Sequence, residues 1–168
     1  MDLSSEPNQG STFKAYLPRV EGSGLALSKP SMSTMPNGHE TILLVEDEDV
    51  VRELAVRMLE RQGYRVLKAS SGSEAYQICL NLNTPVDLVI TEVIMPNMGG
   101  AELARRLKKL WQDVKVLYMS GYTANAIAHH GVLDSDKAYL QKPFRATALA
   151  QKVREVLDNK RVLITERV

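Results

Sequence analysis

Residues Val86-Asp87-Leu88-Val89-Ile90-Thr91-Glu92-Val93-Ile94-Met95-Pro96-Asn97-Met98-Gly99-Gly100 decide the fold. The stretch begins as an apolar run rich in β-branched side chains, the pattern of a strand buried on both faces. It ends in Glu92 and then a Pro, Asn and Gly cluster that requires a loop. A carboxylate where a buried parallel strand gives way to a loop sits at the carboxyl edge of a sheet, where open α/β folds bind ligands. Three other fragments converge on that edge: Glu46-Asp47, Ser120 and Lys142-Pro143.

From Thr41 onward strands and helices alternate. Thr41–Val45, Arg65–Ala69, Val86–Thr91, Val114–Met119 and Lys137–Gln141 read as strands. The first helix follows Asp49, a candidate N-cap, and ends near Gly63, with Val51, Leu54, Ala55, Met58 and Leu59 on its apolar face. Ser73–Leu82 forms the second helix, with Ala75, Ile78, Cys79 and Leu82 inward. Ala101–Trp111 forms the third, with Ala101, Ala104 and Leu107 inward. Ala124–His130 is a short, weakly apolar fourth helix, and Ala146–Asn159 a fifth carrying Leu149, Val153, Val156 and Leu157. Strands alternating with helices imply a parallel sheet with right-handed crossovers, an α/β fold.

The first 40 residues differ in texture. Residues 19–40 are rich in Ser, Pro, Gly and Asn without apolar periodicity, and read as a flexible linker. Before them, Phe13, Ala15 and Leu17 alternate with Thr12, Lys14 and Tyr16 as in a short strand. The tail, residues 160–168, holds the apolar triplet Val162-Leu163-Ile164.

Composition narrows the function classes. Twenty-one basic against 20 acidic residues give a formal charge of +1, so no global field attracts nucleic acid or a membrane surface. The lone Cys79 excludes an intramolecular disulfide framework and suits a reducing, cytoplasmic setting. Its place on the inward face of the second helix reads as core packing. The apolar runs are strand-sized, so no span is expected. The N-terminus lacks the basic-then-apolar pattern of a signal peptide.

Each polar residue at the sheet edge has a chemical role open to it. Glu46, Asp47 and Glu92 are three carboxylates at one edge, and a divalent cation relieves their repulsion. An oxygen-only set suits Mg²⁺. The plainer alternative is a solvated acidic loop, because Glu46-Asp47-Glu48-Asp49 is also a charge run. Ser120 can hydrogen-bond a phosphoryl oxygen or simply satisfy a turn. Lys142 can reach a carboxylate or a phosphoryl oxygen, and Pro143 stops the strand and holds it at the edge. His129 and His130 are adjacent on a helix and point about 100° apart, which suits solvation better than a metal. Trp111, at the end of the third helix, reads as packing.

Four motifs then stand in order: Leu43-Leu44-Val45-Glu46-Asp47; Val89-Ile90-Thr91-Glu92 with Met95-Pro96-Asn97-Met98-Gly99-Gly100; Met119-Ser120-Gly121-Tyr122; and Tyr139-Leu140-Gln141-Lys142-Pro143-Phe144. With them, residues 41–159 resemble a receiver domain of bacterial two-component signalling. The resemblance implies a flavodoxin-like three-layer sandwich with strand order 2-1-3-4-5 and five helices. It implies that Glu46, Asp47, the residue at position 92 and the backbone carbonyl of Ile94 hold Mg²⁺, and that Ser120 and Lys142 contact the phosphoryl group. It implies a switch through Ser120 and Tyr139, and often a cis peptide before the proline of Lys142-Pro143. It implies a histidine kinase or histidine phosphotransfer domain as partner. A homodimer through the face of the fourth helix, fifth strand and fifth helix is a further possibility of that kind.

Position 92 departs from the pattern, which has Asp there. Glu carries the same carboxylate on an arm one methylene longer, and a misplacement of about 1 Å can cost on the order of a hundredfold in rate. Phosphorylation at Glu92 is therefore expected to be absent or slow. Three explanations stand open: a partial mimic of the phosphorylated state, a receiver kept for docking alone, and a substitution made by design. Rival functions are a flavodoxin-like Mg²⁺-dependent hydrolase and an interaction module indifferent to phosphate. No nucleophile-elbow or phosphate-loop glycine pattern supports the hydrolase.

Gln9–Pro18, with Ser5-Glu6-Pro7 upstream, looks like the closing segment of a sensor histidine kinase ATP-binding domain. Residues 1–18 are then a remnant of that domain, and the parent protein a hybrid sensor kinase that is itself membrane-anchored or free. By this reading the chain lacks a kinase active site. With nine residues after Asn159, no DNA-binding segment is expected.

Overall fold

A computed structural model describes residues 2–7, 10–16, 37–121 and 138–159. The chain divides into two units, residues 1–33 and 34–168. The fourth predicted helix, Tyr122, His129, His130, the C-terminal tail and most of the linker lie outside the described residues.

The first unit holds a hairpin of two exposed strands, β1 (Asp2–Glu6) and β2 (Gly10–Lys14). They pair antiparallel with Leu3 opposite Phe13 and Ser5 opposite Ser11. The Ser5 and Ser11 hydroxyls lie 2.8 Å apart. The alternation read over Phe13, Ala15 and Leu17 overlaps β2 only at its end, Thr12–Lys14, and the reading missed β1, whose Asp-Leu-Ser-Ser-Glu sequence has little β-propensity.

The second unit contains β3 (Thr41–Val45), α1 (Asp49–Glu60), β4 (Arg65–Ala69), α2 (Gly72–Leu80), β5 (Leu88–Glu92), α3 (Gly100–Leu110), β6 (Lys115–Ser120), β7 (Ala138–Gln141) and α4 (Ala146–Asp158). The last of these is the fifth helix of the sequence reading. The sheet is parallel with order β4-β3-β5-β6-β7, the expected 2-1-3-4-5 among its own strands. Alternate residues of β3 serve the two faces, as strand geometry dictates. Ile42 and Leu44 join Ala55, Val56 and Leu59 of α1 and Leu149 and Val153 of α4. Leu43 and Val45 join Ala75 and Cys79 of α2 and Leu103 and Leu107 of α3. Buried on both sides, β5 carries no exposed residue.

The helices correct the sequence reading in detail. Leu54 is 53% exposed, and Val56 is buried in its place. The apolar stripe of α1 therefore centres on Ala55 and Leu59 rather than on Leu54. Glu48, not Asp49, is the N-cap, without a side-chain cap; Asp49 instead pairs with Arg52. Leu103 is a fully buried residue of α3 that the reading omitted. Helix α2 starts at a variant of the capping box: the N-cap Ser71 hydroxyl accepts from the Glu74 amide at 3.2 Å, and the Glu74 carboxylate accepts from the amide of Ser70, one residue before the cap, at 2.7 Å. Trp111 packs half-buried against the α2–α3 side of the core. Cys79 is 1% exposed, and burial pushes its thiol up to about 11. Among the described residues no helix is long and apolar enough to cross a membrane.

Candidate functional site at the carboxyl edge of the sheet

The parallel register brings the chemistry-bearing residues together. Val45 lies opposite Thr91, Glu92 opposite Met119, and Ser120 opposite Gln141. The next residues along β3 and β7, Glu46 and Lys142, therefore leave the sheet at the same edge as Glu92 and Ser120. Behind Glu92 the loop folds back tightly. The Gly100 amide donates to the Val93 carbonyl at 3.0 Å, and any side chain at Gly100 would meet the Glu92 carbonyl. That close approach accounts for a glycine opening α3. Asn97 adopts a left-handed φ of 64°, as its side-chain chemistry tolerates.

Lys142 is the hub. Its ammonium lies 2.5 Å from Glu46 Oε2 and 2.6 Å from Glu92 Oε2. Glu92 Oε1 accepts from the Val93 amide at 2.9 Å and, more weakly, from the Ile94 amide at 3.4 Å. Each Glu92 oxygen thus has a protein donor. Glu46 is 1% exposed and Glu92 7%. Burial raises the Glu46 carboxyl above its ordinary value, and its bond to Lys142 only partly offsets this. For Lys142 burial disfavours the charge, but hydrogen bonds to Glu46 and Glu92 prevail and raise it. The Lys142-Pro143 peptide is cis, as the resemblance implies.

The three carboxylates read from the sequence have different settings in the fold. Glu46 and Glu92 meet through Lys142, whereas Asp47 is exposed. Among the described residues no three His, Cys, Asp or Glu side chains are placed to hold a metal ion. The donor chemistry still fits a hard cation: two buried carboxylates facing one ammonium leave a net negative edge, and Asp47 and the backbone at half-exposed Ile94 lie beside it.

Ser120 is fully buried at the end of β6, and its carbonyl accepts from the Lys142 amide at 2.8 Å. The Tyr139 hydroxyl donates to the same carbonyl at 3.2 Å. The Tyr139 ring packs half-buried beside Val93, Ala104 and Tyr118. Sequence reasoning missed Arg52, whose Nη1 donates to the Glu46 carbonyl at 2.7 Å and whose Nη2 pairs with Asp49. The signal was present in the three-residue spacing of Asp49 and Arg52 on α1.

An open α/β sheet of this strand order, with acidic and lysine side chains meeting at its carboxyl edge, defines a flavodoxin-like domain. The family model for the response regulator receiver domain matches residues 42–154. The chain belongs to that family and carries a receiver domain of two-component signalling. It is 40% identical over 162 residues to the sensor kinase CckA of Brucella abortus, covering 92% of this chain and 17% of that protein. It is 34% identical over 116 residues to the receiver protein CpdR of the same organism, covering 69% of this chain and 95% of that protein. Among solved structures it is similar to the receiver domain of the hybrid histidine kinase CckA, with 36% identity and a TM-score of 0.58 over 70% of this chain and 98% of that one. It is also similar to the response regulator TrrA of Thermotoga maritima in complex with Mg²⁺ and BeF, with 30% identity and a TM-score of 0.60 over 70% of this chain and 98% of that one.

Proposed function

We propose that this receiver docks on a histidine kinase or histidine phosphotransfer domain in a cytoplasmic phosphorelay, and that Glu92 leaves its own phosphorylation absent or slow. One observation carries this reading. Glu92 engages Lys142 through one oxygen and the Val93 amide through the other. The groups that could stabilise charge on an incoming phosphoryl group are already bound to the side chain that would have to attack it. The longer arm of Glu also places its oxygen where the phosphoryl group would sit. The engaged carboxylate supplies about one negative charge, where a phosphoryl group supplies roughly 1.5 to 2. Glu92 is therefore at most a partial stand-in.

Mg²⁺ would be held by Glu46, Asp47 and the Ile94 carbonyl, with Glu92 contributing only on release from Lys142. The ion would supply charge neutralisation at the edge. Ser120 and Tyr139 form the element that would respond to a change there, because Tyr139 hydrogen-bonds the Ser120 carbonyl. Residues 1–18 are a remnant of the end of an ATP-binding domain, residues 19–40 the linker from it into the receiver, and the parent is a hybrid sensor kinase. The 92% coverage by a sensor kinase supports this, because the match runs well beyond the receiver segment.

The test is intact-mass spectrometry after acetyl phosphate and Mg²⁺, on the native chain and on Glu92→Asp. The native chain should gain no phosphate, and Glu92→Asp should gain one. Stoichiometric labelling of the native chain at Glu92 overturns the reading.

A further inference from the structure

The segment just before β3 belongs to the receiver body. The Gly38 amide donates to the Gln62 carbonyl at 2.9 Å, and the Arg65 amide to the Glu40 carbonyl at 3.0 Å. Two glycines interlock at this point. A side chain at Gly38 would overlap the Tyr64 ring, and a Cβ at Gly63 would lie 2.5 Å from the Gly38 carbonyl oxygen. Gly63 also has a φ of +91°, so it is required on two grounds. Tyr64, 3% exposed, lies under the segment and packs in the core cluster that holds Val153, Val156 and Leu157 of α4.

The segment reaches α4 directly as well. Glu40 Oε1 lies 2.7 Å from Arg154 Nη2. The same guanidinium grips Asp158, one turn along α4, with bonds of 2.8 and 2.9 Å. Arg154 is thereby held in one orientation by its own helix and presented to Glu40. The Glu40 carboxylate also accepts from the His39 amide at 2.9 Å, which fixes the chain direction at that point. A backbone ladder, a steric lock and an ion pair thus join three residues to two elements.

We propose that Gly38-His39-Glu40 is a strap that couples helix α4 to the chain running N-terminally from Asn37. A shift or rotation of α4 moves Arg154 and with it Glu40. Conversely, a pull on the strap acts on α4 through Arg154 and Tyr64. None of these groups lies at the carboxyl edge, so the strap stands whether or not Glu92 accepts phosphate.

The experiment is amide hydrogen exchange and NMR on the full chain. Glu40→Gln and Arg154→Met should each speed exchange of the Gly38 and Arg65 amides by about two- to fivefold, the scale of one partly exposed ion pair. The effect of Glu40→Gln should vanish in the Arg154→Met background, because the two share one contact. Gly38→Val should displace the amide signals of Val153, Arg154 and Val156. Unchanged exchange in both single variants, or additive effects in the double variant, overturns the strap. So does a folded Gly38→Val protein with native α4 signals. Where Gly38→Val does not fold, the Glu40 and Arg154 pair decides alone.

Discussion

The Lys142 ammonium sits 2.6 Å from Glu92 Oε2, so the cation just beyond β7 is bound by the carboxylate that ends β5. The same ammonium holds Glu46 at 2.5 Å. Two carboxylates that would repel each other at the edge of a buried strand are tolerated because one ammonium serves both.

Lys142→Met should therefore cost about 2–4 kcal/mol at neutral pH, because it leaves buried carboxylates without their counter-charge. The loss should shrink in acid. Burial raises the Glu46 carboxyl above its ordinary value of 4.5 even with Lys142 present, and removing the ammonium raises it further. A group with a raised folded pKa favours the fold below its unfolded pKa and loses that contribution as pH rises through the folded value. Urea unfolding of native and Lys142→Met proteins at pH 5 and pH 7 checks this. An equal difference at both values contradicts it.

The Glu40–Arg154 pair runs in the opposite sense. The Arg154 guanidinium beside Glu40 holds its carboxyl at about 2, well below the ordinary 4.5. The contribution is present above pH 4.5 and lost as pH falls toward 2. Glu40→Gln should lower stability by about 0.5–1 kcal/mol at pH 7, as a partly exposed pair does. Native and variant proteins should converge in acid denaturation.

Leu103→Ala should destabilise by about 2–4 kcal/mol, because the side chain is fully buried between α3 and the sheet. Leu54→Ala should stay within about 0.5 kcal/mol, because that side chain is 53% exposed on α1. Denaturant midpoints of the two variants separate the observed helical faces from those read off the periodicity.

Cys79 should resist thiol reagents in the folded protein at pH 8. Its side chain is 1% exposed, and burial pushes the thiol up to about 11, so little thiolate forms. Labelling with a maleimide should become fast only in denaturant. Rapid labelling of the folded chain contradicts the packing described for α2.

Much of this was legible in the sequence because it rests on local pattern. Apolar runs such as Leu43–Val45 and Val89–Ile90 can satisfy their backbones and bury their side chains only as central strands. The turn chemistry of Met95–Gly100 stops β5 where the polar residues begin. Hence the strands, with ends displaced by at most two residues, and the membership of Glu46, Glu92, Ser120 and Lys142 in one edge follow from spacing and order. Glu92, where the resemblance implies Asp, is likewise visible without coordinates.

Tertiary structure alone decided how those residues pair. Sequence counts three carboxylates; the fold gives Glu46 and Glu92 to Lys142 and leaves Asp47 exposed, because pairing depends on which side chains face inward from neighbouring strands. Periodicity could not choose between Leu54 and Val56, since a stripe of about 100° admits either flank until the sheet beneath α1 is fixed. Gly38 looked like part of a linker because its composition is that of one. It lies against a ring 26 positions away, and Glu40, two residues on, pairs with an arginine of the last described helix, contacts that no local pattern encodes. Local chemistry set the elements and the edge, and long-range packing set the charge pairing and the strap.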